Sequence, residues 1–300
     1  MPELSVIIPT YNRVETLRHV LPSLLAQDVA PDTYEILVCD SDSSDSTAEF
    51  LAALRVEHPS VRHLPGAYSG RAMARNAGIA AASGEVVLFN DADILASEDL
   101  VRRHLERHRA RRRLAVVGWE VQVRSYDEYL EKRDRPERRG ALHPPTRKHL
   151  SWLYFLTGNA SVRREDLLRV GSFDEGFTGY GHEDLELGFR LQRAGIDIVY
   201  EPGAVNYHWQ DVPYEDQREK MRLAGHSAVR FYRKHKDVSV LLNLGMTPVS
   251  RGAHTLLSSL PTVLGYFDTR APRSPFARRL IEQYYYVGGI KEAMAAGGHA

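Results

Sequence analysis

Hydrophobic and polar positions along the first 120 residues switch repeatedly between two periods. Ser5-Val6-Ile7-Ile8-Pro9 reads as a buried strand, and after it Val14, Leu17, Leu21, Leu24 and Leu25 share one helical face. Asn12 with Glu15 three places on predicts an N-terminal cap for that helix, and Pro22 within it predicts a bend. A second strand is expected over residues 35–39. The next helix is expected from Ser46, with Glu49 closing a capping box and Phe50, Leu51 and Leu54 inward. A helix over 73–82, a strand over 86–89, a helix from Ser97 and a strand over 114–119 continue the series. Strands that alternate with helices predict an α/β fold with a mainly parallel sheet covered on both faces.

The pattern changes twice further on. Residues 124–148 turn charged, carry three prolines and read as a long loop. A second ordered block spans 152–209, with a strand over 196–200, and the remainder reads as helices over 214–236, around Leu256 and over 275–296. The expected organisation is one domain over 1–212, with halves at 1–120 and 150–212, and a helical extension over 213–300.

Charge narrows the partners. Lys plus Arg and Asp plus Glu number 39 each, so the chain has no overall field for nucleic acid, and none is expected as a partner. Seven arginines and two histidines crowd 102–113. That segment also reads as an amphipathic helix with Leu100, Val101 and Leu105 inward, so a solvated face is the first reading and contact with anionic lipid head groups the second. The single cysteine, Cys39, excludes a disulfide framework and fits a reducing compartment. The first residues lack the pattern of a signal peptide, and the most apolar run, 255–267, is too short to span a bilayer. A cytoplasmic protein, soluble or held peripherally at a membrane surface, is expected.

Ligands of an open parallel sheet bind beyond the carboxyl ends of its strands. Acidic pairs fall at such places: Asp40 and Asp42 after the second strand, Asp91 and Asp93 after the third, and Glu183 with Asp184 opening a later helix. A diphosphate leaving group needs its charge neutralised, and a hard divalent ion held by carboxylates does this. Asp40 and Asp42 also suit an ordinary turn, and Glu183 and Asp184 an ordinary first helical turn.

Several motifs in order resemble family 2 glycosyltransferases: Ser5 to Arg13, Cys39-Asp40-Ser41-Asp42, Ala74-Arg75-Asn76-Ala77-Gly78, and the DxD element Asp91-Ala92-Asp93 after its apolar strand. Phe173-Asp174-Glu175-Gly176-Phe177 with Gly181-His182-Glu183-Asp184 and Arg190 resembles the acceptor half of galactosyltransferases and chondroitin-polymerase-like enzymes. The resemblance covers residues 4 to about 210. It implies the GT-A fold, Rossmann-like with a mainly parallel sheet flanked by helices, here with a C-terminal helical extension. It further implies transfer of a sugar from a nucleotide-sugar, with a UDP-sugar favoured, to a carbohydrate or lipid-linked acceptor, as in polysaccharide biosynthesis.

The resemblance also assigns roles. Asp93 would bind Mn²⁺ or Mg²⁺ together with His208, and Asp91 would lie nearer the ribose and the metal, with Ala92 between them in the donor site. Asp40 would read the uracil ring, with Asp42 the second candidate because Ser41 separates the two acids. Pro9, Thr10 and Tyr11 would line base and ribose, and Arg75 and Arg71 would face the diphosphate. Asp184 would be the general base and Glu183 an acceptor ligand. Gly158-Asn159-Ala160 and Tyr180-Gly181-His182 would shape the sugar and acceptor pockets. Asp184 in place of an asparagine favours inversion over the retaining chemistry of the polypeptide N-acetylgalactosaminyltransferases. The other rivals are a non-catalytic nucleotide-sugar-binding module and a nucleotidyltransferase, which normally carries a glycine-rich phosphate loop that Pro9-Thr10-Tyr11-Asn12 is not. The C-terminal helices are left three occupants: acceptor, membrane, or a second subunit in a homo-oligomer.

Overall fold

The computed structural model describes residues 1–133, 149–209 and 213–296. Its elements are β1 Leu4–Thr10, α1 Val14–Leu25, β2 Tyr34–Asp40, α2 Thr47–Glu57, β3 Val61–Pro65, α3 Arg71–Ala81, β4 Val86–Phe89, β5 Ile94–Ala96 and α4 Leu100–Ala110. There follow β6 Leu114–Val123, α5 Tyr126–Arg133, β7 His149–Leu150, β8 Ala160–Arg163, α6 Arg164–Val170, α7 Glu183–Arg193 and β9 Asp197–Trp209. The remaining helices are α8 Tyr214–His235, α9 Val238–Asn243, α10 Pro248–Ser258, α11 Pro261–Arg270 and α12 Pro275–Ala296.

One sheet runs in the order β3-β2-β1-β4-β8-β6-β9-β5, with β7 beside β9. Its first four strands are parallel, as the alternating pattern requires. Beyond β4 the sheet is mixed: β8 runs antiparallel between β4 and β6, while β6 and β9 are parallel. Leu4, Val6 and Ile8 on β1 pack with Leu17, Val20, Leu21 and Leu24 of α1, so the one-sided stripe of that helix is what seals this face. Each such side chain contributes roughly 1.5–3 kcal/mol on burial.

Contacts divide the chain into two units, Met1–Gly176 with Asp184–Asp211, and Phe177–Glu183 with Val212–Ala300. In the second unit α8 and α12 touch along their backbones: a Cβ at Gly225 would overlap the carbonyl of Tyr286, and one at Gly289 the carbonyl of Arg222. The short stretch Phe177–Glu183 is part of that unit. Arg230 lies over the Phe177 ring at 5.3 Å, and Ser227 donates to the Tyr180 carbonyl at 3.0 Å.

Four expectations are corrected. Neither Asn12 nor Ser46 caps a helix; Asp45 does, accepting from the Val14 N–H and the Thr47 N–H at 3.1 Å each. One carboxylate thus meets two positive helix ends, which a neutral amide or hydroxyl would meet less well. Within 124–148, residues Tyr126–Arg133 form α5 rather than loop, and 134–148 lie outside the described residues. The helix expected from Ser97 starts at Leu100. His208 lies inside the 13-residue β9 rather than after a strand ending at Tyr200, because Pro202 and Gly203 interrupt the apolar pattern without ending the strand.

The arginine-rich segment is a solvated face, with most of its charges matched and Arg113 donating to the Ala194 carbonyl instead. Arg102 pairs with Asp28, Arg103 with Asp99, Arg109 with Glu3 and Arg111 with Asp197. Its two histidines, His104 and His108, are buried with Leu100, Val101 and Leu105.

Candidate functional site

The DxD element occupies the turn between β4 and β5. Asn90 braces it from within, donating from its amide to the carbonyls of Asp91 and Ile94 at 2.9 Å each. Asp91 pairs with the buried guanidinium of Arg75 at 2.8 Å, and that guanidinium lies 5.5 Å from the Phe173 ring centre. Arg75 is therefore no solvated residue: α3 delivers it beneath the DxD turn. Ala92 is buried. Arg71, at the start of α3, is exposed.

Asp93 and His208 are brought together by adjacent rungs of the sheet. Ile94 is opposite His208 in the β5–β9 ladder, and the Trp209 N–H donates to the Asp93 carbonyl at 2.8 Å. The His208 Nε2 lies 3.6 Å from an Asp93 carboxylate oxygen, and its Nδ1 lies 3.1 Å from Glu120. Burial would lower the pKa of His208, but hydrogen bonds and charge from Asp93 and Glu120 override it and raise it to about 10. Burial would raise the Asp93 carboxyl, and His208, with a smaller contribution from Arg13, holds it below the usual carboxylate range instead.

This is a place built for positive charge, a proton or a metal ion. Among the described residues no group of three or more His, Cys, Asp or Glu side chains forms a complete cage. The imidazole and carboxylate are donors that would suit a Mn²⁺ or Mg²⁺ ion, to which they would supply two of its ligands. Glu120 on the far nitrogen fixes the ring so that Nε2 faces Asp93, the usual service of a carboxylate behind a ligating histidine. Sequence reasoning missed Glu120, since it belongs to no motif and meets His208 only through the pairing of β6 with β9.

The loops after β1 and β2 are knitted together. The Asn12 side-chain oxygen accepts from the Ser44 N–H at 2.7 Å, and the Ser43 hydroxyl accepts from the Asn12 N–H at 2.8 Å. Asp40 is buried at the end of β2, accepting from the Ser43 N–H at 3.1 Å and meeting His63 at 3.1 Å. Asp42 is exposed with a left-handed φ of 53°. Pro9 is buried, Tyr11 is exposed, and the buried hydroxyl of Thr10 finds no partner among the described residues.

On the acceptor side, Asn76 of α3 receives the Phe173 N–H at 2.9 Å and donates to the Phe173 carbonyl and to Glu175. Arg190 of α7 pairs with the fully buried Glu186 and holds the carbonyls of Val170 and Ser172. Glu183 and Asp184 open α7; Glu183 is buried, and Asp184 accepts the Leu185 N–H at 2.7 Å. Asn159 is buried, meeting His104 at 2.9 Å and donating to the Ala204 carbonyl at 3.0 Å. Trp152 packs edge-on against Phe189, and Trp209 lies 5.6 Å from His19 and 6.2 Å from Tyr126.

Residues 5–171 match the glycosyl transferase family 2 domain. The chain belongs to that family. Residues 139–208 of this family 2 chain match a domain described as the N-terminal domain of galactosyltransferase. Validoxylamine A glucosyltransferase of Streptomyces hygroscopicus subsp. limoneus is 32% identical over 84% of the chain and 60% of its own length. Chondroitin synthase of Escherichia coli is 27% identical over 78% of the chain and 40% of its own length. The chain thus spans less than two thirds of these curated relatives. A Pyrobaculum calidifontis mannosyltransferase, solved with GDP-Man and Mn²⁺, superposes with a TM-score of 0.66 at 20% identity over 99% of the chain and 88% of its own. TarS residues 1–349 of S. aureus, solved with UDP, superposes at 0.62 and 19% identity over 99% of the chain and 92% of its own. The shared fold is the GT-A fold. No helix among the described residues is long and apolar enough to cross a membrane.

Proposed function

We propose that this family 2 chain transfers a sugar from a UDP-sugar to an acceptor hydroxyl with inversion, in a reaction that requires a divalent metal ion. The observation that carries the reading is the facing pair Asp93 and His208, 3.6 Å apart, with Glu120 orienting the imidazole. A bound Mn²⁺ or Mg²⁺ supplies positive charge to the leaving diphosphate. Pro9, Thr10 and Tyr11 line the nucleoside, and Asp40, with Asp42 behind it, accepts from the uracil ring. Arg75, paired with Asp91 at 2.8 Å, holds that carboxylate in place beside the ribose and metal, and Arg71 meets the diphosphate.

Asp184 takes the proton from the acceptor hydroxyl as the oxygen bonds to the anomeric carbon, and the bond from that carbon to the diphosphate breaks on the opposite face. Glu183 binds the acceptor, a carbohydrate or lipid-linked sugar. Similarity to a glucosyltransferase makes UDP-glucose the first donor to test. A retaining course would give an α-linked product from this α-linked donor, and proton NMR of the product separates the two.

The first experiment is calorimetry of UDP with Mn²⁺ and with EDTA, on wild type and Asp93→Ala. Binding that needs Mn²⁺ and is lost in the variant supports the donor site. UDP binding that survives EDTA and the substitution unchanged removes the metal from the reading. Asp184→Asn tests the base: UDP affinity should hold while turnover falls by about 10²–10⁴.

A further inference from the structure

The most apolar stretch of the chain ends up on the outside of the second unit. Neither α10 nor α11 buries a single residue. An amphipathic helix of a soluble domain normally turns one apolar stripe inward and a polar face outward. Here the apolar residues continue around to the outer face. Val249 is 81% exposed and Leu256 64%, seven residues apart and so on one side of α10. Val263, Tyr266 and Arg270 fall at the i, i+3, i+7 spacing on α11, and Phe276, 68% exposed, extends the surface at the start of α12 with its ring 6.0 Å from Phe267.

The charges around this surface are mainly positive; the acids near it in the chain are Asp268 and Glu282, the latter one turn along α12 from Arg278 and under its charge. Residues 238–267 contain no Asp or Glu. The Arg270 guanidinium lies 3.6 Å over the Tyr266 ring, and Arg273, Arg278 and Arg279 are exposed beside Phe276 in the chain. Among the described residues none of these four arginines is in a close ion pair, Arg278 alone having an acid, Glu282, within reach of its charge, whereas all four arginines of α4 are matched to carboxylates. Asp268, the acid nearest Arg270 in the chain, is engaged by Arg218 and Tyr214.

We propose that the outer face of α10 and α11, with the start of α12, is a docking surface for an anionic lipid bilayer. Aliphatic side chains, aromatic rings and arginines outside close ion pairs are together what the boundary between head groups and acyl chains accepts. A second copy of the chain is the poorer occupant, because a two-fold contact through this face would bring its arginines against themselves.

The test is flotation of the full chain with vesicles of phosphatidylcholine alone and of phosphatidylcholine with an equimolar share of phosphatidylglycerol. Binding to the anionic vesicles, weakened by salt and much weaker on phosphatidylcholine, is expected. Arg270→Gln with Arg279→Gln should weaken it by roughly fivefold per arginine, and Leu256→Glu with Val263→Glu should abolish it. These positions are exposed, so circular dichroism melting should find both variants folded. Wild type that does not float, or variants that float as wild type does, would overturn the proposal. A dimer in light scattering that Leu256→Glu with Val263→Glu dissociates, without any flotation, would assign the surface to a second copy instead.

Discussion

The imidazole Nε2 of His182 lies 3.1 Å from the phenol oxygen of Tyr286, and that phenol donates its own proton to the Leu244 carbonyl at 3.1 Å. The hydroxyl can therefore only accept from His182, which fixes the Nε2–H tautomer. His182 has a φ of 70° and follows Gly181 at 81°, so the bond holds a doubly left-handed turn immediately before Glu183 and Asp184. Tyr286→Phe keeps the ring and removes the link. Faster amide exchange over 177–183 is expected, with a stability loss of about 1 kcal/mol; unchanged exchange there would mean the turn is held by other contacts.

Glu120 orients His208 without a place for itself at Nε2. Glu120→Gln keeps the size and gives up the charge that favours the correct ring orientation. The affinity for Mn²⁺ in the presence of UDP should fall by about 10–100-fold in calorimetry, with the melting curve little changed. Equal affinities would confine Glu120 to a packing role.

Asp45 serves two helices at once, so Asp45→Ala should cost about twice a single cap, on the order of 2 kcal/mol. Chemical denaturation measures it, and Asp45→Asn should recover part of the loss. A cost no larger than that of an exposed surface substitution would contradict the double role.

His104 and His108 hold the Ser161 hydroxyl between them at 2.8 Å each, buried under α4. Burial lowers the pKa of His104 to about 4 and that of His108 to about 3, the latter with added repulsion from His104. The unfolded chain takes up protons near pH 6.5 and the folded one does not, so the fold has its full stability above that pH. Stability should then fall as the pH drops from about 6.5 towards 4, by on the order of 3 kcal/mol for each histidine titrated alone. Urea denaturation across that range checks the slope, and His108→Gln should flatten it.

What could be read from the residues was what is local. β1, β2 and β4 are buried along their whole length and each carries a short apolar run, at 6–8, 36–39 and 86–89. Asp93 announces itself because it follows such a run within four residues. The second half of the sheet is different in kind: β8 and β6 acquire their places only by pairing with strands far off in the chain, and β9 carries Glu201, Pro202 and Gly203 through its middle. No period in the sequence marks such a strand. Asp45 escaped notice for the same reason as Glu120, since each acts on a residue more than 30 places away along the chain. The arginines of α4 looked alike in sequence to those of α11 and α12. The positions of Glu3, Asp28, Asp99 and Glu201 are what set the paired arginines of α4 apart.

The ladder that joins Ile94 to His208 has a consequence for how this scaffold can change. Asp93 and His208 are tied by main-chain bonds of neighbouring strands, whereas the stretches expected to meet base, sugar and acceptor are loops and helix starts. Side chains in those loops can be exchanged without moving the two groups that face each other across the rung. Donor and acceptor preference can therefore drift, or be redirected by design, while the charge-handling centre stays as it is.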